Sequence, residues 1–361
     1  MGQNSNNLKS ERVQFLDFTR AIACFMVILV HACEFFYVGD IGNFSDDEIF
    51  WANFIDSALR ACVPIFVMMS SYLLLPLKDE LEPFLKKRFT RVLIPFVVWS
   101  ILYATIPILW GGLDATGVKE SLLRLTHNFN MASGHLWYIY MFIGIYLFMP
   151  IISPWLKTAK KRHIEYFLLL WFLSTFYHYI KHLTGDEFGI LGQCYWNEFY
   201  TLWYFSGHLG YVVLAYYIRE YLNLTTSKSL MIGLPLFLIG WAITYISFDY
   251  FYPSNGDFYT IELGWRFCTP NVAISTFALF IMFKCIKCDN AKVSTVVSDI
   301  SKLSYGMYLA HIFMLNFVYS FLSEISNIPF KIISIAIVTY LLSYLLIKIL
   351  SFFPKSKYIV G

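Results

Sequence analysis

Ten stretches of this chain are apolar for about as long as a helix needs to cross a bilayer, and that recurrence limits the fold more than any motif does. They lie near 13–37, 50–75, 88–110, 135–156, 163–181, 199–220, 229–248, 268–286, 304–322 and 329–351. A crossing takes about 20 residues. Without water in the hydrocarbon every backbone amide and carbonyl must be satisfied within the segment, so such runs form helices. Pro64, Pro95, Pro107 and Pro150 interrupt some of them, which membrane helices tolerate where neighbours re-satisfy the backbone. Only 14% of the 361 residues are charged, against roughly a quarter in soluble proteins. The expected fold is all-α: a polytopic membrane protein, a bundle of about ten transmembrane helices.

Ten spans place both ends on one side, and the distribution of Lys and Arg decides which. The N-terminal segment, the loops 76–91, 157–162, 219–228 and 284–302 and the C-terminal segment carry 20 of the 27; the opposite loops carry five. Both termini are therefore expected in the cytoplasm. Residues 1–12 read as a cytoplasmic tail with no charged leader or cleavage site, 13–351 as the membrane domain and 352–361 as a second cytoplasmic tail. No loop is long enough for a soluble domain, so the chemistry must come from helices and short loops. An internal repeat of the kind many carriers show is absent.

The net charge of +3 gives no footprint for nucleic acid. The seven cysteines follow no metal spacing: Cys285 and Cys288 form one CxxC without a second pair, and no metal is expected. Cys24, Cys33 and Cys62 sit in apolar runs as packing residues. Cys194 and Cys268 fall on the non-cytoplasmic side, where they stand either as a disulfide or as two free thiols.

The first run is the most informative. On a helix Asp17, Arg20, His31 and Glu34 fall within an arc of about 100°, and Arg20 and His31 stand about 16 Å apart along the axis. An arginine inside a bilayer costs at least ~2.5 kcal/mol, so this face must meet a polar cavity or a partner. Asp17 and Arg20 alone could be a structural i, i+3 pair. That reading leaves out His31, and a histidine sharing a face with three ionisable groups points to a functional site. Asn53, Asp56 and Arg60 share a face of the second run. Arg88 and Arg91 open the third run one turn apart, either as positive-inside flanking or as paired donors for phosphate. His135 and Trp137 open the fourth, and Tyr305 and His311 lie in the ninth.

Together these residues resemble the membrane acyltransferase-3 family, in particular its surface-polysaccharide O-acetyltransferase branch. The points of likeness are Arg12 with Leu16-Asp17 and Arg20-Ala-Ile-Ala; the Arg20-X10-His31 spacing; Arg88-X-X-Arg91; Val63-Pro64-Ile-Phe66; His135-Leu-Trp137-Tyr138; and Ser304-Tyr305-Gly306 leading to His311. One departure is Ser70-Ser71, where the family usually has Ser-Gly; it bears on local packing and on the size of the acceptor.

The resemblance implies transfer of an acetyl or other short acyl group from cytoplasmic acetyl-coenzyme A to a hydroxyl of a glycan or glycolipid, in a bacterial cytoplasmic membrane. Carried onto this chain, His31 acts as general base or as transient acyl carrier, with Arg20, Asp17 and Glu34 as its catalytic companions. Arg88, Arg91 and Arg20 bind the cofactor. Arg60, Asp56, His135, Trp137, Tyr305 and His311 are candidates for substrate binding. Membrane lipids are the remaining expected partners; the sequence is silent on oligomeric state. A proton-coupled membrane transporter is the competing reading, because carriers also place Asp, Glu and His in interior cavities.

Overall fold

The computed structural model describes residues 13–38, 43–185, 189–252 and 258–361. Arg12 and the expected N-terminal tail lie outside the described residues. The described chain is helical, with one isolated bridge between Cys194 and Asn197 and no strand. In order the helices are α1 (Gln14–Cys33), α2 (Asp46–Ser57), α3 (Cys62–Leu74), α4 (Leu81–Thr105), α5 (Ala115–Arg124), α6 (Trp137–Thr158), α7 (Lys161–Ser174) and α8 (Tyr177–Thr184). They continue as α9 (Leu209–Tyr221), α10 (Thr226–Phe251), α11 (Phe258–Ile261), α12 (Pro270–Phe283), α13 (Ala291–Leu322), α14 (Ile328–Ser351) and α15 (Lys357–Val360).

Among the described residues eight segments are long and apolar enough to cross a membrane: Gln14–Phe36, Asp46–Leu74, Leu81–Trp110, Ala132–Thr158, Thr226–Phe251, Leu263–Phe283, Ala291–Leu322 and Ile328–Ser351. They coincide with eight of the ten apolar runs, and the protein is an all-α polytopic membrane protein. The other two runs differ from expectation. The run at 163–181 breaks between α7 and α8, where the hydroxyls of Ser174 and Thr175 donate back to the carbonyls of Trp171 and Phe172, a local alternative to the helical ladder. The run at 199–220 becomes α-helical only at α9, after Gly207 takes a positive φ of 79°, which glycine adopts without strain.

Local chemistry explains several boundaries. Ser45 and Glu48 form a reciprocal capping box at the start of α2. Thr225, Asn290 and Asn327 cap α10, α13 and α14. Pro270 opens α12, where a missing amide proton costs nothing.

α1 is the most buried of the eight spans. It packs on α13 and α14 on one side and on α2 and α3 on the other. α10 packs tightly on α12, because Gly240 presents no side chain where a Cβ would stand 2.2 Å from Ser275 Oγ. The residues expected as a C-terminal tail pack onto the bundle. α15 packs against α4, α13 and α14, Val360 is buried, and the Trp99 indole donates to the Ile359 carbonyl at 2.9 Å. At the family departure, Ser71 is fully buried and its hydroxyl donates to the Val67 carbonyl at 2.9 Å, so the added atoms bring their own partner.

Candidate active site

The polar face of α1 borders a cavity of about 620 Å³ inside the bundle. Arg20, Arg88, Arg91, Ser301 and Lys302 line one end; His31, Glu34, Tyr37, Arg60, His135 and Glu262 line the other. Between them the wall is mainly apolar and aromatic, with Val27, Val30, Phe66, Tyr138, Phe142 and Tyr305. From Arg20 to Glu34 the lining follows α1 for about 21 Å.

His31 occupies the last turn of α1, and the chain tightens into a 3-10 turn at Glu34–Phe36. That puts His31 Nδ1 2.9 Å from Glu34 Oε1. An ionised carboxylate only accepts, so the proton of a neutral imidazole resides on Nδ1 and Nε2 keeps its lone pair.

Two further histidines gather behind it. The ring of His311 lies 5.0 Å from those of both His31 and His135, and His31 and His135 are 6.3 Å apart. His311 Nδ1 donates to the Tyr308 carbonyl at 2.5 Å, and its Nε2 has no hydrogen-bond partner. Both ring nitrogens of His135 are buried without a partner. The Leu309 carbonyl accepts the Tyr103 hydroxyl at 2.9 Å. The Tyr308 hydroxyl bonds the His135 carbonyl and holds that segment in place. Among the described residues no group of three His, Cys, Asp or Glu side chains is arranged to hold a metal ion.

At the Arg20 end of the cavity Ser301 of α13 joins two residues of α1. Its hydroxyl donates to Asp17 Oδ1 at 2.6 Å and accepts from Arg20 Nη1 at 3.0 Å; Arg20 and Asp17 are 3.9 Å apart. Arg88 stands 5.8 Å from the Phe84 ring, and its Nε is buried without a partner. At the His31 end Arg60 bonds Asp56, and its guanidinium lies 4.1 Å from the Trp265 ring centre. The Trp265 indole donates to Ser57 at 3.0 Å, and Tyr37 donates to Glu262 at 3.2 Å. Burial pushes the Glu262 carboxyl above its usual range, while Arg60 draws it back down.

The cavity thus brings together His31, Glu34, Arg20, Arg88, Arg91, Arg60, His135, Trp137 and Tyr305. Three expected residues do not reach it. Asp17 is turned to Ser301, Asp56 is fully buried against Arg60, and His311 is fully buried behind His31 and His135. A short or buried polar side chain in an apolar setting takes the partner nearest to it, and each of these has one inside the bundle. Ser301, Lys302, Tyr37, Glu262, Trp265 and Tyr308 went unnoticed in the sequence. Only the last had a signal, as the third residue on from Tyr305 in a helix whose other face is apolar. All seven cysteines are free thiols, Cys194 and Cys268 among them.

A membrane bundle with a base-like histidine, a carboxylate and a group of cations around one internal cavity has the makings of a membrane-bound transferase. The family model described as the acyltransferase domain, acyltransferase-3, matches residues 13–348. The chain belongs to the acyltransferase-3 family and is a membrane acyltransferase. No curated protein and no solved structure matches it. Membership favours acyl transfer over the proton-coupled transport that buried charges also permit.

Proposed function

We propose that this protein moves an acetyl or other short acyl group from cytoplasmic acyl-coenzyme A to a hydroxyl of a cell-surface glycan or glycolipid precursor, within a bacterial cytoplasmic membrane. The reading is carried by one observation: a single cavity connects Arg88, Arg91 and Lys302 with His31 and Glu34.

The inner end fits a polyphosphate. Arg88 keeps a buried Nε donor that no group among the described residues satisfies, and a phosphate oxygen is the partner such a donor takes best. Arg91 and Lys302 add exposed positive charge at the same mouth. The largely apolar middle suits a long uncharged arm and keeps bulk water from the acyl group. Acyl-coenzyme A supplies that group activated as a thioester.

At the far end the residues of the chain do the proton work. Glu34 holds the His31 ring through Nδ1, so Nε2 faces the acceptor hydroxyl and takes its proton as the hydroxyl oxygen attacks. His31 then returns that proton to the departing thiolate. Glu34 stabilises the imidazolium that exists between the two transfers. The orphaned nitrogens of His135 offer a hydrogen bond to whatever polar atom enters between the rings.

The test is transfer by the full chain in vesicles. Label from radioactive acetyl-coenzyme A should appear on a membrane glycan or an added sugar. Accumulation of an unmodified solute in the vesicles, with no label transferred, would sink the proposal.

A further inference from the structure

Charge is distributed unevenly along the cavity, and the unevenness bears on which acceptor it admits. Its inner end is lined by Arg20, Arg88, Arg91 and Lys302. At the outer end the charged lining residues are Glu34, Glu262 and Arg60. The arginine is already compensated: it bonds Asp56, which is fully buried, and its guanidinium rests on the Trp265 ring. Glu34 meets the His31 ring, Glu262 meets the Tyr37 hydroxyl at 3.2 Å, and Glu262 and Asp56 both draw on Arg60. Among the described residues lining this end Arg60 is thus the one permanent cation, set against Glu34, Glu262 and the buried Asp56, so acidic groups are in excess there.

Two independent observations mark this end as a place for a polar ligand. His135 is 6% exposed and lines the cavity with both ring nitrogens unpartnered. Arg60 is 8% exposed, lines the same end and leaves its Nε unpartnered. Sugar hydroxyls satisfy both kinds of group, donating to carboxylates and accepting from imidazole and guanidinium. A sugar carboxylate or phosphate would face Glu34 and Glu262 in a site with little water to screen the repulsion.

On the acyl-transfer reading above, we propose that the outer half of the cavity is a subsite for an uncharged sugar and that Glu262, held by Tyr37, excludes anionic sugars. The same field repels the donor's phosphates, so the donor enters and leaves by the cationic end alone.

The experiment compares methyl glucoside with methyl glucuronide. Transfer of label from acetyl-coenzyme A and saturation-transfer NMR of sugar binding are both measured on the full chain in vesicles. The wild type should favour the glucoside by about tenfold or more in both measurements. Glu262→Gln should narrow that ratio at least about fivefold, Glu262→Asp should retain it, and Tyr37→Phe should weaken it in part. Equal binding of the two sugars, or a ratio unchanged in Glu262→Gln, would overturn the proposal. If the glutamine variant does not fold, the wild-type ratio alone decides. Charge-dependent binding without any transfer would leave the subsite standing and remove the acyl-transfer reading instead.

Discussion

His31 Nδ1 lies 2.9 Å from Glu34 Oε1, across the turn where α1 tightens into a 3-10 helix. The contact assigns the two nitrogens different work. His31→Ala should lower transfer by about a hundred- to ten-thousandfold, the range of a lost general base, with membrane insertion and expression unchanged. Glu34→Gln, which keeps the shape but not the charge, should cost at least about tenfold in kcat and leave the KM for the donor unaltered. Steady-state kinetics on both variants check this; activity of His31→Ala within tenfold of wild type would remove the histidine from the chemistry.

Arg88 and Arg91 stand at the end of the cavity remote from His31. Replacing either with Ala should raise the KM for acetyl-coenzyme A about ten- to hundredfold, the effect of losing a charged hydrogen bond of ~1.5–3 kcal/mol. kcat should change far less, because binding remote from the reacting atoms is largely uniform between ground and transition states. Donor titrations at saturating acceptor separate the two parameters. Unchanged donor affinity in both variants would reduce the pair to topology signals.

His135 should move stability and activity in opposite directions. Its two nitrogens are buried without partners, and an unmet polar group inside a protein is a cost that an apolar residue of similar size avoids. His135→Leu should therefore unfold at the same temperature as wild type or a few degrees higher, while transfer falls about tenfold or more. Thermal unfolding in detergent read beside activity tests it. Loss of both together would mean that the ring is needed for packing.

The orientation of the bundle can be read from its free thiols. Cys194 lies in the loop before α9, and Cys285 and Cys288 follow α12. If the Lys and Arg bias sets the topology, a membrane-impermeant maleimide added to intact cells labels Cys194 and spares Cys285 and Cys288. Because the cysteines are free, prior reduction should not increase the labelling. The reverse pattern would place the donor end of the cavity outside the cell and contradict a cytoplasmic donor.

Much of this architecture was legible along the chain because the bilayer imposes one rule on every span: about twenty apolar residues, helical throughout. The eight long spans follow directly from that rule. So does the suspicion that fell on Arg20 and His31, since a charge in a span needs a reason. The other two apolar runs are broken helices, which hydropathy does not reveal because it measures composition and not continuity. A pair of hydroxyls at Ser174 and Thr175 and a positive φ at Gly207 break the helix without making the run any less apolar.

The sequence by itself determined the class of fold and the face of α1 that carries its ionisable groups, because helical periodicity aligns Asp17, Arg20, His31 and Glu34 without help from any other segment. Only the tertiary structure decided which polar residues face the cavity. Asp17 and Arg20 are tied to Ser301, 284 and 281 residues away; Arg60 takes up Asp56 and Trp265; and Glu262, in a loop with no motif, meets Tyr37 across 225 residues. These contacts depend on helix packing, where a rotation of about 100°, one residue's worth, separates a buried partner from a cavity wall. No local pattern in the sequence records that rotation.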